Sequence, residues 1–244
     1  MYTVGHLALF LVTVIGIAAG LYLARGIDAR GVRTVIRVVT ALLWVLEIAK
    51  ILFVLLVTKS DNPNDFIPLY YCSLILYAGL FSSVGKGFWQ KLGDVFIATG
   101  GVAGGICFML VPNTSLPRYP AVHFISFHSF LLHGLMVFMG LLLLTRGIYR
   151  IRICDLRYCA GLVSAMCAAA YAYNLLWDAF NPDRAVANLM FLSKDFPGTS
   201  VSILYHATGA FFPVLMWLIQ AFVPFLLFVA VQKAVDAVRK KIGI

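Results

Sequence analysis

The side chains able to do chemistry stand out in this sequence because nearly everything around them is apolar. Glu47 and Lys50 interrupt the run Leu42-Leu43-Trp44-Val45-Leu46, three residues apart. On a helix that spacing puts them on neighbouring positions of one face, where they can pair. Cys72 follows Ile67-Pro68-Leu69-Tyr70-Tyr71, and His123, His128 and His133 recur every five residues in another apolar stretch. A cysteine beside an imidazole is a nucleophile and base pair: the ring takes the thiol proton, and the thiolate attacks an acyl carbonyl. Cys107, Cys154, Cys159 and Cys167 have no such company and read as small buried hydrophobes.

At 3.6 residues per turn, a five-residue step rotates successive histidines by about 140°, so the three cannot face one site. The missing i, i+4 pair also argues against a metal site on this stretch. His123 reads as an interface residue. His133, near the middle of its run, is the histidine whose burial needs a reason, and from the residues alone a satisfied core histidine and a catalytic one both stand. Asn174, Asp178, Asn188 and His206 form a later polar set.

These residues must be held by elements made for lipid. The chain has 244 residues, 62% of them hydrophobic and 12% charged, and its mean hydropathy is +0.94. A water-soluble domain of that composition would expose too much apolar surface. Seven apolar segments are each long enough to cross a bilayer: 5–24, 34–58, 66–84, 92–111, 121–145, 158–177 and 203–231. Strict alternation is absent and backbone polar groups in lipid must be satisfied internally, so the expected class is all-α, a single helical bundle domain over 1–244. The first segment follows Met1-Tyr2-Thr3 with no basic leader or small-residue cleavage site, and it reads as a retained span.

Fourteen of the 19 Lys and Arg residues fall on one side of this alternation: Arg25, Arg30, Arg33 and Arg37; Lys86 and Lys91; Arg146, Arg150, Arg152 and Arg157; Lys233, Arg239, Lys240 and Lys241. Lys59, Arg118, Arg184 and Lys194 fall on the other. The bias places the first set in the cytoplasm, with the N-terminus outside and the C-terminus inside, in a multi-pass protein of the cell membrane. The net charge of +9 is thereby a topology signal, and no nucleic-acid partner is expected. Gly100, Gly101, Gly104 and Gly105 give the fourth span a face for close helix approach. Pro213 and Pro224 are expected to kink or break the last span. The long connection 178–202, with its apolar Leu189-Met190-Phe191-Leu192, reads as a lid over the outer end. That topology gathers Glu47, Lys50, Cys72, His133, Asn188 and His206 in the middle or outer half of the membrane, which suggests an outward-facing polar pocket.

Four motifs, in order along the chain, resemble those of the YwaF-type bacterial membrane proteins and their animal relative, transmembrane protein 164. They are Leu46-Glu47, Pro68-Leu69 followed by Cys72, His133 at its distance from Arg146, and Asn188-Leu189-Met190-Phe191-Leu192 followed by Pro197 and Ser200. The resemblance selects His133 over His128. It implies an acyltransferase or lipid hydrolase acting on phospholipid acyl chains through a cysteine thioester. Cys72 is then the nucleophile, His133 the general base and Glu47 the group that orients or charges the histidine. Asn188 or a loop amide would polarise the carbonyl, with Tyr71, Lys50, Asn174 and His206 toward substrate. Membrane phospholipid or lysophospholipid is the partner implied, with no cofactor and no metal. Tyr70 and Tyr71, where relatives carry a carboxylate or histidine, and Leu189, in place of a tyrosine, depart from the pattern.

Two rival classes use the same residues. In a transporter or binding protein, Glu47, Lys50 and the histidines would line a substrate or proton path, although no internal repeat is visible. A seven-helix receptor would share the topology, but no lysine within 203–231 is available to hold a retinal.

Overall fold

A computed structural model describes residues 3–242, and it is all helical with no strand among them. Residues 1–2 and 243–244 of the expected domain, and the side chains of Arg239 and Lys241, lie outside the described residues. The first helix, α1 (Val4–Leu23), is capped by Thr3, whose hydroxyl accepts from the His6 amide. The second, α2 (Ala29–Leu52), is capped by the Asp28 carboxylate on the Gly31 amide at 2.7 Å and runs on through a wider π-helical turn, Phe53–Val57. Such caps satisfy amides that the first turn leaves without partners. The buried face of α2 is Val32, Ile36, Val39, Thr40, Leu43 and Glu47, a helical stripe in which the carboxylate occupies a core position.

Among the described residues six helices are long and apolar enough to cross a membrane, so this is a multi-pass membrane protein. The expected span over 66–84 differs. Its sequence gives a short α3 (Pro63–Phe66), an irregular stretch, and α4 (Leu74–Val84), which at 11 residues is too short to cross alone. Pro68 removes a donor and holds the residue before it extended, as Ile67 is. Both ends of this broken segment are nevertheless anchored. Asn64 bonds the Val186 carbonyl and the Asn188 amide at one end of the bundle, and Ser82 bonds Arg33 at the other.

The centre of the bundle is the helix pair α5 (Phe88–Phe96) and α6 (Val102–Leu110), joined without a break by a π-helical turn, Ile97–Gly101. Around it pack α4, α7 (Phe124–Thr145), α8 (Leu156–Phe180) and α10 (Phe212–Ile242). The α1 helix lies outside α7 and α2 lies against α4 and α7. The glycine face does two jobs. A methyl group on Gly105 would meet the His133 carbonyl and Val137 of α7, so here it is a helix–helix approach. Methyls on Gly100 and Gly104 would meet Tyr71, so these two make a slot for a side chain.

The last expected span is interrupted, but not by its prolines. The chain breaks at Gly209, φ 52°, between α9 (Ser200–Thr208) and the turn that leads into α10. Glycine alone adopts that conformation at little cost. Pro213 sits in the first turn of α10, where no partner for its missing amide is required, and Pro224 is carried within the helix.

Close approach of α7 to the central helix predicts a measurable cost. A methyl on Gly140 would fall on the Ile97 carbonyl and the Val102 side chain. Gly140→Ala should destabilise the folded protein by about 1–3 kcal/mol, seen as a lower melting temperature in detergent. Gly161→Ala, which meets nothing within 4 Å, should be neutral or better.

Candidate functional site

The polar residues divide into a buried cluster between α2 and α7 and a loop framework at one end of the bundle. Glu47 is almost fully buried and donates nothing; its Oε1 accepts from Lys50 Nζ at 2.7 Å. Its other oxygen lies 3.7 Å from His128 Nε2, which is buried without a hydrogen-bond partner. Lys50 keeps part of its side chain at the surface, so the pair is a carboxylate under the bundle and an ammonium at its edge. Cys72 lies in the irregular turn just before α4, half-buried and outside any disulfide.

His133, the histidine expected to serve as base, is turned away from this carboxylate. Its Nδ1 is 2.6 Å from the Ser129 carbonyl, and its ring stacks flat on Phe108 of α6 at 3.7 Å. Among the described residues it makes no hydrogen bond to Cys72 or Glu47. The cause is the five-residue step. With α7 between α2 and α6, a rotation of about 140° that points His128 at α2 points His133 at α6. Glu47 therefore faces His128 and does not orient His133. Depth was the signal for His128: it lies one turn into α7, and Glu47 lies in the half of α2 that approaches the same end.

Asn188 and Asn174, expected to meet substrate, are spent on the loop. Asn188 Oδ1 accepts from the Ser193 and Lys194 amides, both at 3.0 Å, and its Nδ2 donates to the Lys194 carbonyl. Asn174 is fully buried and holds Leu189 by both backbone groups, with a further bond to Ser193 Oγ at 2.8 Å. Asn64, which sequence reasoning missed, joins this loop to the segment before Cys72: it donates to Val186, accepts from the Asn188 amide at 2.7 Å and accepts from Tyr70. Its setting, Asn62-Pro63-Asn64-Asp65, reads as an ordinary turn. Held in this way, Leu189, Met190 and Leu192 are buried in the main core, with Met190 and Phe191 at φ 57° and 52°. The loop is therefore a plug inserted into the bundle as well as a cover.

His206 lies at the surface 3.2 Å from Asp195, away from the cluster. Tyr71 fills the glycine slot, its ring 5.7 Å from Phe96 and its hydroxyl buried without a partner. The expected outward-facing pocket is not among the two principal cavities. Both open at the end where α2 and α5 begin, and neither is lined by Cys72, Glu47 or His133.

A family model, the TMEM164 family, matches residues 1–232. The chain belongs to the TMEM164 family. No curated protein and no solved structure matches it. In this TMEM164-family chain the matched residues include the Glu47 cluster, Cys72, both candidate histidines and the asparagine framework.

Two outcomes test this arrangement. Glu47→Gln strips the partner from Lys50, and loss of one member of a buried pair costs about 3–5 kcal/mol; since Lys50 reaches the surface, the lower end applies. Glu47→Gln with Lys50→Gln should recover most of the lost melting temperature. Asn174→Leu should release the plug, read as faster protease cleavage within 185–199 while helix content by circular dichroism stays unchanged.

Proposed function

We propose that this protein is a membrane acyltransferase or lipid hydrolase that handles phospholipid acyl chains through Cys72. The observation that carries the proposal is the buried Glu47, set between Lys50 at 2.7 Å and His128 at 3.7 Å on a helix packed against α4, whose first turn follows Cys72 at a break in the chain. Placing a carboxylate in a bilayer is costly enough that function is the default reading. The motif resemblance implies the same chemistry. In the first step the Cys72 thiol gives its proton to an imidazole, and the thiolate attacks the ester carbonyl. The thioester forms as the carbon–oxygen bond breaks, and the departing lysophospholipid oxygen recovers the proton. A second hydroxyl, from a lysophospholipid or from water, then resolves the thioester.

We assign that proton to His128, because it is the histidine beside Glu47. Glu47 at 3.7 Å would stabilise its imidazolium, and the other oxygen of that carboxylate is held by Lys50 at 2.7 Å. His133, held by Ser129 and Phe108, supports the position of α7 from the opposite side. Substrate would reach Cys72 laterally from the bilayer, since the cysteine and Lys50 are both partly exposed.

The same proposal includes seven crossings with the N-terminus outside. The broken segment 63–84 runs from the Asn188 end to the Arg33 end and so completes the odd number that the lysine and arginine bias requires. The site then lies in the outer half of the membrane.

One observation favours a second reading. His128 Nε2, unpartnered beside a buried carboxylate, also suits a proton relay in a transporter. Purified protein in lipid, given labelled phospholipid and lysophospholipid, separates the two. Acyl transfer predicts a hydroxylamine-sensitive adduct and turnover that vanish in Cys72→Ala. His128→Ala should lower turnover by roughly 10²–10⁴-fold and His133→Ala by less than about tenfold. Labelling retained in Cys72→Ala defeats the nucleophile. Substrate-dependent flux in proteoliposomes that survives Cys72→Ala but fails in Glu47→Gln establishes the transporter.

A further inference from the structure

The end of the bundle opposite the Glu47 cluster carries a second concentration of charge. Arg30, Arg33 and Arg37 recur at i, i+3 and i+7 and therefore line one face of the first turns of α2. That face walls a cavity of about 630 Å³ closed on its other side by Gly147 and Ile148. A second cavity, of about 470 Å³, shares Ile148 and is lined by Lys91, Asp94, Arg150 and Arg152. The turn between them is built, not loose. Gly147 takes φ 67°, Arg146 donates to the Ile27 carbonyl at 2.9 Å, and buried Tyr149 bonds Asp155.

The acids at this end are already committed. Both Asp94 oxygens are held by Arg33, at 2.6 and 2.7 Å, and Oδ1 also accepts from Ser82. Asp155 is bound by Lys91 at 2.7 Å and by Arg152 at 3.4 Å. Burial pushes its carboxyl up, but the bonds from Lys91 and Arg152 outweigh that and hold it below its ordinary range, so it remains charged. Asp28 caps α2 through the Gly31 amide. Arg30 and Arg37 have no acidic partner among the described residues, and Arg37 donates only to the Ser83 carbonyl at 3.3 Å. Arg150 reaches only the exposed Asp236, at 3.5 Å. Two guanidinium groups, Arg30 and Arg37, are left without an acid on the wall of the larger cavity, and Arg150 lines its neighbour.

Guanidinium forks match phosphate oxygens in pairs, and with Arg33 locked by a carboxylate the arginines that remain for a phosphate on this face are Arg30 and Arg37. The cavities open where membrane-spanning helices end, which is the depth of lipid headgroups. We propose that the cavity walled by α2 binds the phosphate-bearing headgroup of an anionic membrane lipid, with Arg30 and Arg37 as its main ligands. The site is independent of the reaction at Cys72.

The test is native mass spectrometry and a binding titration of the full-length protein in phosphatidylcholine nanodiscs doped with phosphatidic acid or phosphatidylglycerol. Arg30→Gln with Arg37→Gln removes two charges from exposed positions and leaves the Arg33–Asp94 pair intact. A basic side chain in direct reach of the bound headgroup is worth roughly a fivefold gain in anionic-lipid affinity, so the double variant should bind about tenfold or more weakly. Lys233→Gln with Lys240→Gln removes the same charge from the same side and should change binding by less than about threefold. Equal losses in the two double variants would overturn the site in favour of diffuse attraction. Inorganic phosphate or glycerol phosphate binding as tightly as the lipid would overturn the headgroup assignment. Melting temperature, unchanged in both variants, distinguishes lost binding from lost folding.

Discussion

The carboxylate of Glu47 is the constraint around which the bundle is arranged. It stands in the core stripe of α2, where every other member but one is apolar, and hydrocarbon gives it no water to replace a missing partner. Lys50 one turn on supplies the charge, and the surface exposure of that lysine lets the ammonium keep part of its hydration. The remaining oxygen faces α7, where His128 Nε2 stands 3.7 Å away. Packing of α2 on α7 thus sets an imidazole beside one acid without a hydrogen bond between them. Cys72 enters the same field only because the segment carrying it is not a regular helix: Pro68 and the bends around it bring the cysteine to the head of α4, beside α2.

Close packing at the centre supports that geometry from behind. The π-helical turn at Ile97–Gly101 adds a residue to one turn of the central helix and shifts the glycines after it. Gly105 and Gly140 then admit α7 to backbone contact, while Gly100 and Gly104 accept Tyr71, the neighbour of Cys72. The position of the cysteine is set from two directions, through Tyr71 in its slot and through Asn64 holding the chain before it. Asn64 in turn depends on the loop that Asn174 and Asn188 fold. A change in the plug would reach Cys72 through two hydrogen bonds, Asn188 to Asn64 and Tyr70 to Asn64.

Hydropathy and the cost of intramembrane charge were enough to read the all-helical membrane fold and to single out Glu47, Lys50 and Cys72. Periodicity also carried the key geometric fact about α7, that His128 and His133 face different ways. It could not say which one meets Glu47, because that depends on the rotation of α7 about its axis, set by distant contacts at Gly134 with Thr13 and Gly105 with the His133 carbonyl. Asn188 and Asn174 illustrate the converse. Polar residues at the outer end look like substrate ligands until the loop's own amides are counted, and those amides use every oxygen the two side chains offer. The break at Gly209 escaped notice because two prolines nearby are the louder signal, although proline in a first turn disturbs nothing.

The two charged ends also constrain each other. From Arg37 to Glu47 is ten residues of continuous α2, or about 15 Å at 1.5 Å per residue. The acyl esters of a phospholipid lie within a few bonds of its phosphate, so a lipid whose headgroup is held at Arg30 and Arg37 has its esters at the wrong depth for Cys72. Its acyl chains, not its esters, would reach the level of the cluster. A headgroup bound there would consequently belong to a lipid of one leaflet that braces the start of α2, while an ester attacked by Cys72 would come from the opposite leaflet. One straight helix would then carry the two roles, and tension on its basic end would be felt as a shift of Glu47 against His128.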